Sequence, residues 1–153
     1  MTVGVVIRMA DAKQVVEREW QAYIQHDLDS LLEVYAEGAV LTVPDSPPAE
    51  GREAIGQVWK GFLDAFPDDS PTVERILVDG DTVIVEFRSD QTNSGPLLLP
   101  SGETLPATGR RIAFQGISIS DVEDGRITRE TFYWDSVLFA TQLGLMPEER
   151  EGL

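Results

Sequence analysis

Hydrophobic positions recur at helical spacing in the first part of the chain and at alternating spacing in the rest. From Asp11 to about Gln25, Val16, Trp20, Tyr23 and Ile24 fall at steps of three and four, with Lys13, Glu17 and Arg18 on the other side, which predicts an amphipathic helix. A second short helix runs through Tyr35 on Leu28, Leu31, Leu32 and Tyr35, with Asp27 or Asp29 available as its cap. Ala39 to Val43 reads as a strand stopped by Pro44 and the Pro47-Pro48 pair. Ile55, Val58, Trp59, Phe62, Leu63 and Phe66 form one broad stripe over residues 52–66, a third helix ended by Pro67.

Beyond Pro67 the period shortens to two. Val73 to Val78 and Thr82 to about Asn93 are strands joined by Asp79-Gly80-Asp81; Arg110 to Asp121 and Arg126 to Asp135 pair across Asp124-Gly125. In the second of these strands Val83, Val85, Phe87, Ser89, Gln91 and Asn93 share one parity, taken as inward, and Glu86, Arg88 and Asp90 share the other. Residues 94–109 hold four leucines among turn formers, a length of loop that points to a pocket rim or an interface, or to simple packing over the sheet edge, for Leu97 to Leu99. Helices followed by hairpins predict an α+β fold, a curved sheet folded over N-terminal helices with a short closing helix. A bent sheet on a helix leaves a cone whose wide end side chains do not fill, a natural small-molecule site. Residues 11–147 form one domain, with an arm over residues 1–10 and a tail over residues 148–153.

Composition narrows the function. A chain of 153 residues buries a core without staples. With no cysteine, thiolate metal sites, thiol catalysis and disulfides are excluded, which fits a reducing cytoplasm. A net charge of −15 argues against nucleic acid and anionic membrane, both of which need clustered Lys and Arg. The apolar run Val3 to Ile7 is too short for a membrane span or a signal peptide. A sole histidine, His26, and no nucleophile elbow argue against a Ser-His-Asp enzyme. No phosphate loop, zincin motif or acidic metal cluster is present in the sequence, so neither a metal nor a cofactor is expected.

A carboxylate working in apolar surroundings is what remains. Along Arg129 to Asp135, Thr131, Tyr133 and Asp135 share one face of the strand and Glu130, Phe132 and Trp134 the other. Asp135, directly after Phe-Tyr-Trp, is either a desolvated acid/base or the cap of the helix that follows.

Several motifs carry a family likeness: His26-Asp27-Leu28-Asp29-Ser30-Leu31, Gly51-Arg52-Glu53-Ala54-Ile55, Ala65-Phe66-Pro67-Asp68, Pro106-Ala107-Thr108-Gly109-Arg110-Arg111, Asp124-Gly125-Arg126-Ile127, and Tyr133-Trp134-Asp135 through Gln142-Leu143-Gly144-Leu145. With these, residues 11 to 147 resemble the SnoaL-like polyketide cyclases, the ester-cyclase branch of the NTF2-like superfamily. The resemblance implies an NTF2-like cone, commonly a homodimer through the outer sheet face. It also implies a catalytic Asp at the position of Asp135, drawing a proton from a carbon flanked by carbonyls for an intramolecular aldol closure without metal or cofactor. Many relatives carry Gly-Thr-His-x-Gly where this chain has Gln91-Thr92-Asn93-Ser94-Gly95, and Asn93 can donate a hydrogen bond to an enolate but cannot transfer a proton. Tyr23, Trp20, Tyr35, Phe62, Phe66, Phe87 and Tyr133 are the expected substrate-binding residues beside Asn93, around a small apolar or aromatic carbonyl ligand. Two other readings stand beside this one: a non-catalytic dimeric binding domain, and an isomerase or epoxide hydrolase in the same cone. An epoxide hydrolase would use an Asp-Arg-Asp cluster, whereas Arg88 and Asp90 have the wrong parity to join Asn93.

Overall fold

The computed structural model describes residues 11–99 and 101–146; the expected N-terminal arm and C-terminal tail lie outside them. The helices are α1 (Ala12–Ile24), α2 (Leu28–Glu33), α3 (Arg52–Ala65) and α4 (Ser136–Gln142). The strands are β1 (Tyr35–Thr42), β2 (Ala49–Glu50), β3 (Thr72–Asp79), β4 (Thr82–Thr92), β5 (Leu97–Leu98), β6 (Thr104–Leu105), β7 (Arg111–Glu123) and β8 (Arg126–Trp134). The main sheet runs β2-β1-β8-β7-β4-β3. It is antiparallel except where β1 lies parallel to β8. This is the α+β cone expected from the pattern, with the helices closing one face of a mixed sheet.

Local chemistry explains the boundaries. Asp11, Asp27 and Asp135 each accept a backbone N–H from the first turn of α1, α2 and α4, which satisfies donors that a helix start leaves free. Asp124 and Gly125 sit at φ of 52° and 75°, the paired positive values of a tight hairpin turn. Tyr35 departs from its expected place at the end of α2: Val34 caps the helix, its N–H donating to the Leu31 and Leu32 carbonyls, and Tyr35 opens β1 against Ile127. The leucine-rich segment folds into the β5–β6 hairpin, leaning on α3, with Leu97 half-buried and Leu98 exposed.

The inward parity of β4 holds from Val83 through Asn93. On β7 it comprises Ile112, Phe114, Gly116, Ser118, Ser120 and Val122, and on β8 Ile127, Glu130, Phe132 and Trp134. Gly116 is required by a close approach: a Cβ there would stand 2.5 Å from Phe87 Cζ and 2.9 Å from the Tyr133 carbonyl. α1 adds Val16, Trp20 and Tyr23 from the helical side. Trp20, Trp59, Phe87 and Phe132 meet with ring centroids 4.9 to 6.1 Å apart, the tilted and edge-on contacts that aromatic quadrupoles favour. These rings form the wall of the cone.

Candidate active site

The cone holds a cavity of about 50 Å³, lined mainly by rings: Trp20, Tyr23, Trp59, Phe62, Phe87, Phe114, Phe132 and Trp134. Its polar lining is Glu19, Asp69, Ser89 and Gln91. Two carboxyl groups therefore share an apolar chamber, and each has its own network.

Asp69 follows α3 in the Pro67–Ser70 turn, whose geometry is fixed from three directions. Its N–H donates to the Phe66 carbonyl at 3.0 Å. Asp68 accepts the Thr92 N–H at 2.8 Å. His26, itself in left-handed backbone at φ 57°, places Nε2 3.1 Å from the Asp69 carbonyl. The turn is thus tied to the end of α1 and the end of β4, and the Asp69 side chain is carried to the cavity.

There the Tyr23 hydroxyl donates to Asp69 Oδ2 at 2.8 Å. The Gln91 amide, turned nitrogen-inward, donates to both carboxylate oxygens at 2.8 and 2.9 Å. Turned oxygen-inward it accepts from the protonated acid instead, so Gln91 serves either state. Burial pushes the Asp69 carboxyl up from 3.8 to about 6, against the hydrogen bonds from Tyr23 and Ser89 that favour the charged form. Burial and the Asp69 charge hold the Tyr23 hydroxyl well above 10, so it remains a donor.

The second network lies deeper. The Tyr35 hydroxyl stands 2.6 Å from Glu19 Oε2 and 2.6 Å from Glu130 Oε1, and accepts the Trp59 indole N–H at 3.0 Å. Ser120 donates to Glu130 Oε2 at 2.5 Å. Burial, followed by the charge of Glu130, raises Glu19 well above the usual carboxylate range. Glu19 Oε1 and the Trp20 indole N–H are buried without a protein partner.

The expected site residues divide. Tyr23, Trp20, Phe62 and Phe87 line the cavity. Tyr35 and Phe66 are fully buried behind it, Tyr35 as the hub of the Glu19–Glu130 network. Tyr133 is 56% exposed on the outer sheet face and does not reach the ligand space. Asn93 is buried but spent: Nδ2 donates to the Ala65 and Gly95 carbonyls, and Oδ1 accepts from Thr108 N–H and Oγ1. Those four bonds use its whole hydrogen-bonding capacity, so it clamps the loop after β4 and has none left for an enolate.

Asp135 is also placed away from the cavity. It is exposed and accepts the Leu138 N–H at 2.9 Å, as a helix cap does. The parity of β8 decides this: the inward face is that of Glu130, Phe132 and Trp134, and Asp135 continues the outward one. The acids that do face inward, Glu19, Asp69 and Glu130, are not the ones that the sequence pattern brings forward. Glu19 has a readable signal, since it interrupts the apolar stripe of α1 between Val16, Trp20 and Tyr23; Glu130 shares the parity of Phe132 and Trp134. Asp69 sits in a turn without periodicity and has none. Among the described residues no three His, Asp or Glu side chains converge as a cation site requires.

Helices over one face of a bent mixed sheet, enclosing an aromatic chamber with buried acids, define an NTF2-like fold, shared with solved NTF2-like proteins. The SnoaL-like domain family matches residues 16–130, and the chain belongs to that family. The uncharacterized protein YesE of Bacillus subtilis (strain 168) is 30% identical over 138 residues, covering 83% of this chain and 84% of its own. A candidate SnoaL-like polyketide cyclase from Jannaschia sp. CCS1 is 20% identical with a TM-score of 0.78, over 89% of this chain and 93% of that one. IdmH, a candidate polyketide cyclase from Streptomyces antibioticus, is 30% identical with a TM-score of 0.69, over 87% and 98%.

Proposed function

We propose that the chain is an acid/base enzyme acting on a small, mostly apolar carbonyl compound, with Asp69 rather than Asp135 carrying the proton. The observation behind this is a carboxyl on the wall of an aromatic cavity, 2.8 Å from Tyr23 Oη and raised to about 6. A base poised near neutral pH both takes and returns a proton efficiently. The likeness to candidate polyketide cyclases points to the same carbonyl chemistry.

In this mechanism ionised Asp69 removes a proton from the carbon beside the carbonyl. The C–H bond breaks, an O–H bond forms on Asp69, and the electron pair moves to the carbonyl oxygen. The Trp20 indole N–H, buried without a protein partner, is the donor available to that oxygen. The enolate then closes on a second carbonyl of the same molecule, forming a C–C bond and an alkoxide that takes the proton back from Asp69, or is reprotonated at another carbon by Asp69. Gln91 reverses its amide as Asp69 changes state. The aromatic walls hold the reacting carbons together and keep water from competing.

The test is deuterium uptake at the carbon next to the carbonyl of acetophenone, cyclohexanone and 2-tetralone in D2O, followed by proton NMR. Wild-type protein accelerates exchange of at least one of them, Asp69→Asn loses on the order of 100-fold or more of that acceleration, and Asp135→Asn retains it. Exchange unaffected by Asp69→Asn sinks the mechanism; loss of exchange with Asp135→Asn restores the other acid. Absence of exchange in all three, with ring compounds still bound, favours the binding-domain reading.

A homodimer through the outer sheet face is part of the same reading. Leu77 and Ile119, joined across β3, β4 and β7, and Ile117 beside Tyr133 place exposed apolar side chains on that face. Light scattering on wild type and Ile119→Glu checks it: a dimer that becomes a monomer supports it, and a wild-type monomer refutes it.

A further inference from the structure

The inner network obeys a proton count. A tyrosine hydroxyl has one proton to donate and two positions at which to accept. Trp59 fills one of the latter at 3.0 Å, while Glu19 and Glu130 each bring an oxygen to 2.6 Å. Tyr35 can donate to one of them, so one of the two carboxyls carries a proton, directed at Tyr35 or at the other carboxyl. Glu130 already receives a second donor, Ser120, on its other oxygen. Glu19 receives none on Oε1. The proton therefore sits on Glu19 Oε2, the oxygen that meets Tyr35, because Oε1 has no hydrogen-bond partner, and Tyr35 donates to Glu130.

This leaves Glu19 Oε1 as a carbonyl-type oxygen on a residue that lines the cavity and is 3% exposed. A buried acceptor without a donor costs free energy until something supplies one. We propose that Glu19 Oε1 is a recognition site for a hydroxyl donor on the ligand, so that the substrate class is a hydroxylated aromatic or enolic carbonyl compound rather than a plain ketone. The proposal rests on the cavity being the ligand site, as in the reading above, and it divides the work between two acids. Asp69 moves the proton and Glu19 selects the hydroxyl. A neutral acceptor suits selection, because it orients an O–H without removing its proton, and the Tyr35–Glu130 pair fixes which of its oxygens is free. The aromatic rings around it accept the flat body of such a ligand.

Phenol and toluene, equal in size and differing in one O–H, are the probes. Their affinities are read from shifts of the indole N–H signals of Trp20, Trp59 and Trp134, which all line the cavity. Wild-type protein binds phenol about three- to tenfold more tightly than toluene, the ratio expected of one neutral hydrogen bond. Glu19→Gln keeps the preference, because its amide N–H donates to Tyr35 and its carbonyl oxygen remains where Oε1 was. Glu19→Met abolishes it, and Asp135→Asn, outside the cavity, leaves it intact. A preference that survives Glu19→Met, disappears in Glu19→Gln or Asp135→Asn, or is absent from wild type overturns the proposal. So does a wild type that binds neither compound. Should Glu19→Met not fold, the wild-type and Glu19→Gln arms still decide. Failure of the acid/base reading is separately visible, since it shows as ketone exchange indifferent to Asp69→Asn while the phenol preference is unchanged.

Discussion

Replacing Asp69 with Asn changes stability in a direction that the site geometry sets. A carboxyl whose folded pKa lies above its unfolded value binds its proton more tightly in the native state. Its contribution to stability is then fully present below the unfolded value and is lost as pH rises through the folded one. For Asp69 those values are 3.8 and about 6. The full loss amounts to about 3 kcal/mol, because each tenfold difference in proton affinity between the two states is worth about 1.36 kcal/mol. Solubility near the pI of about 4.2 restricts the accessible range, and between pH 5 and 7.5 the expected part of that loss is about 1.5 kcal/mol. Asparagine does not titrate, and Gln91 can turn to serve it, so the variant carries a constant offset and no slope from this site. Glu19 is present in both proteins and cancels. Urea unfolding of both proteins at a series of pH values, read by tryptophan fluorescence, gives the difference directly. Stability of Asp69→Asn relative to wild type should rise by about 1.5 kcal/mol from pH 5 to 7.5. A flat difference, or one that falls, would mean that Asp69 is not held at a raised pKa, and the reasoning from burial would be wrong.

Two other substitutions separate structural from chemical roles. Asp135→Ala should lose about 1 kcal/mol through the missing α4 cap, measured by urea midpoint, and leave ketone exchange untouched. Asn93→Ala removes four hydrogen bonds from a buried clamp and should cost about 2–4 kcal/mol, with protease cleavage between β4 and β7 rising before global unfolding; a cost under about 0.5 kcal/mol would contradict the clamp.

The fold is legible in the sequence because its signals are periodic. The spacing of Val16, Trp20 and Tyr23, and the alternation from Val83 to Asn93, each map one burial direction along an element, and the structure keeps both. The site is less legible because it depends on which of two faces is inward. The alternation in β8 correctly separates two faces. Choosing the face of Glu130 over that of Asp135 needs the sheet's packing against α1, which no short stretch encodes. Asn93 falls on the inward side as its parity predicts, but its partners Ala65 and Thr108 come from distant segments, so its lack of spare hydrogen-bonding capacity is invisible in sequence. Asp69 depends on His26, Thr92 and Gln91 meeting around one turn, a tertiary arrangement with no local pattern. Glu19 is open to discovery from sequence: a charged residue within an apolar helical stripe has to be paired, neutralised or functional.

Carboxyl 13C NMR titration of the protein, with Asp69→Asn identifying the resonance, shows whether Asp69 is a buried acid poised for proton transfer. The expected midpoint is about 6. A midpoint at or below about 4, the range of a solvated aspartate, would contradict it.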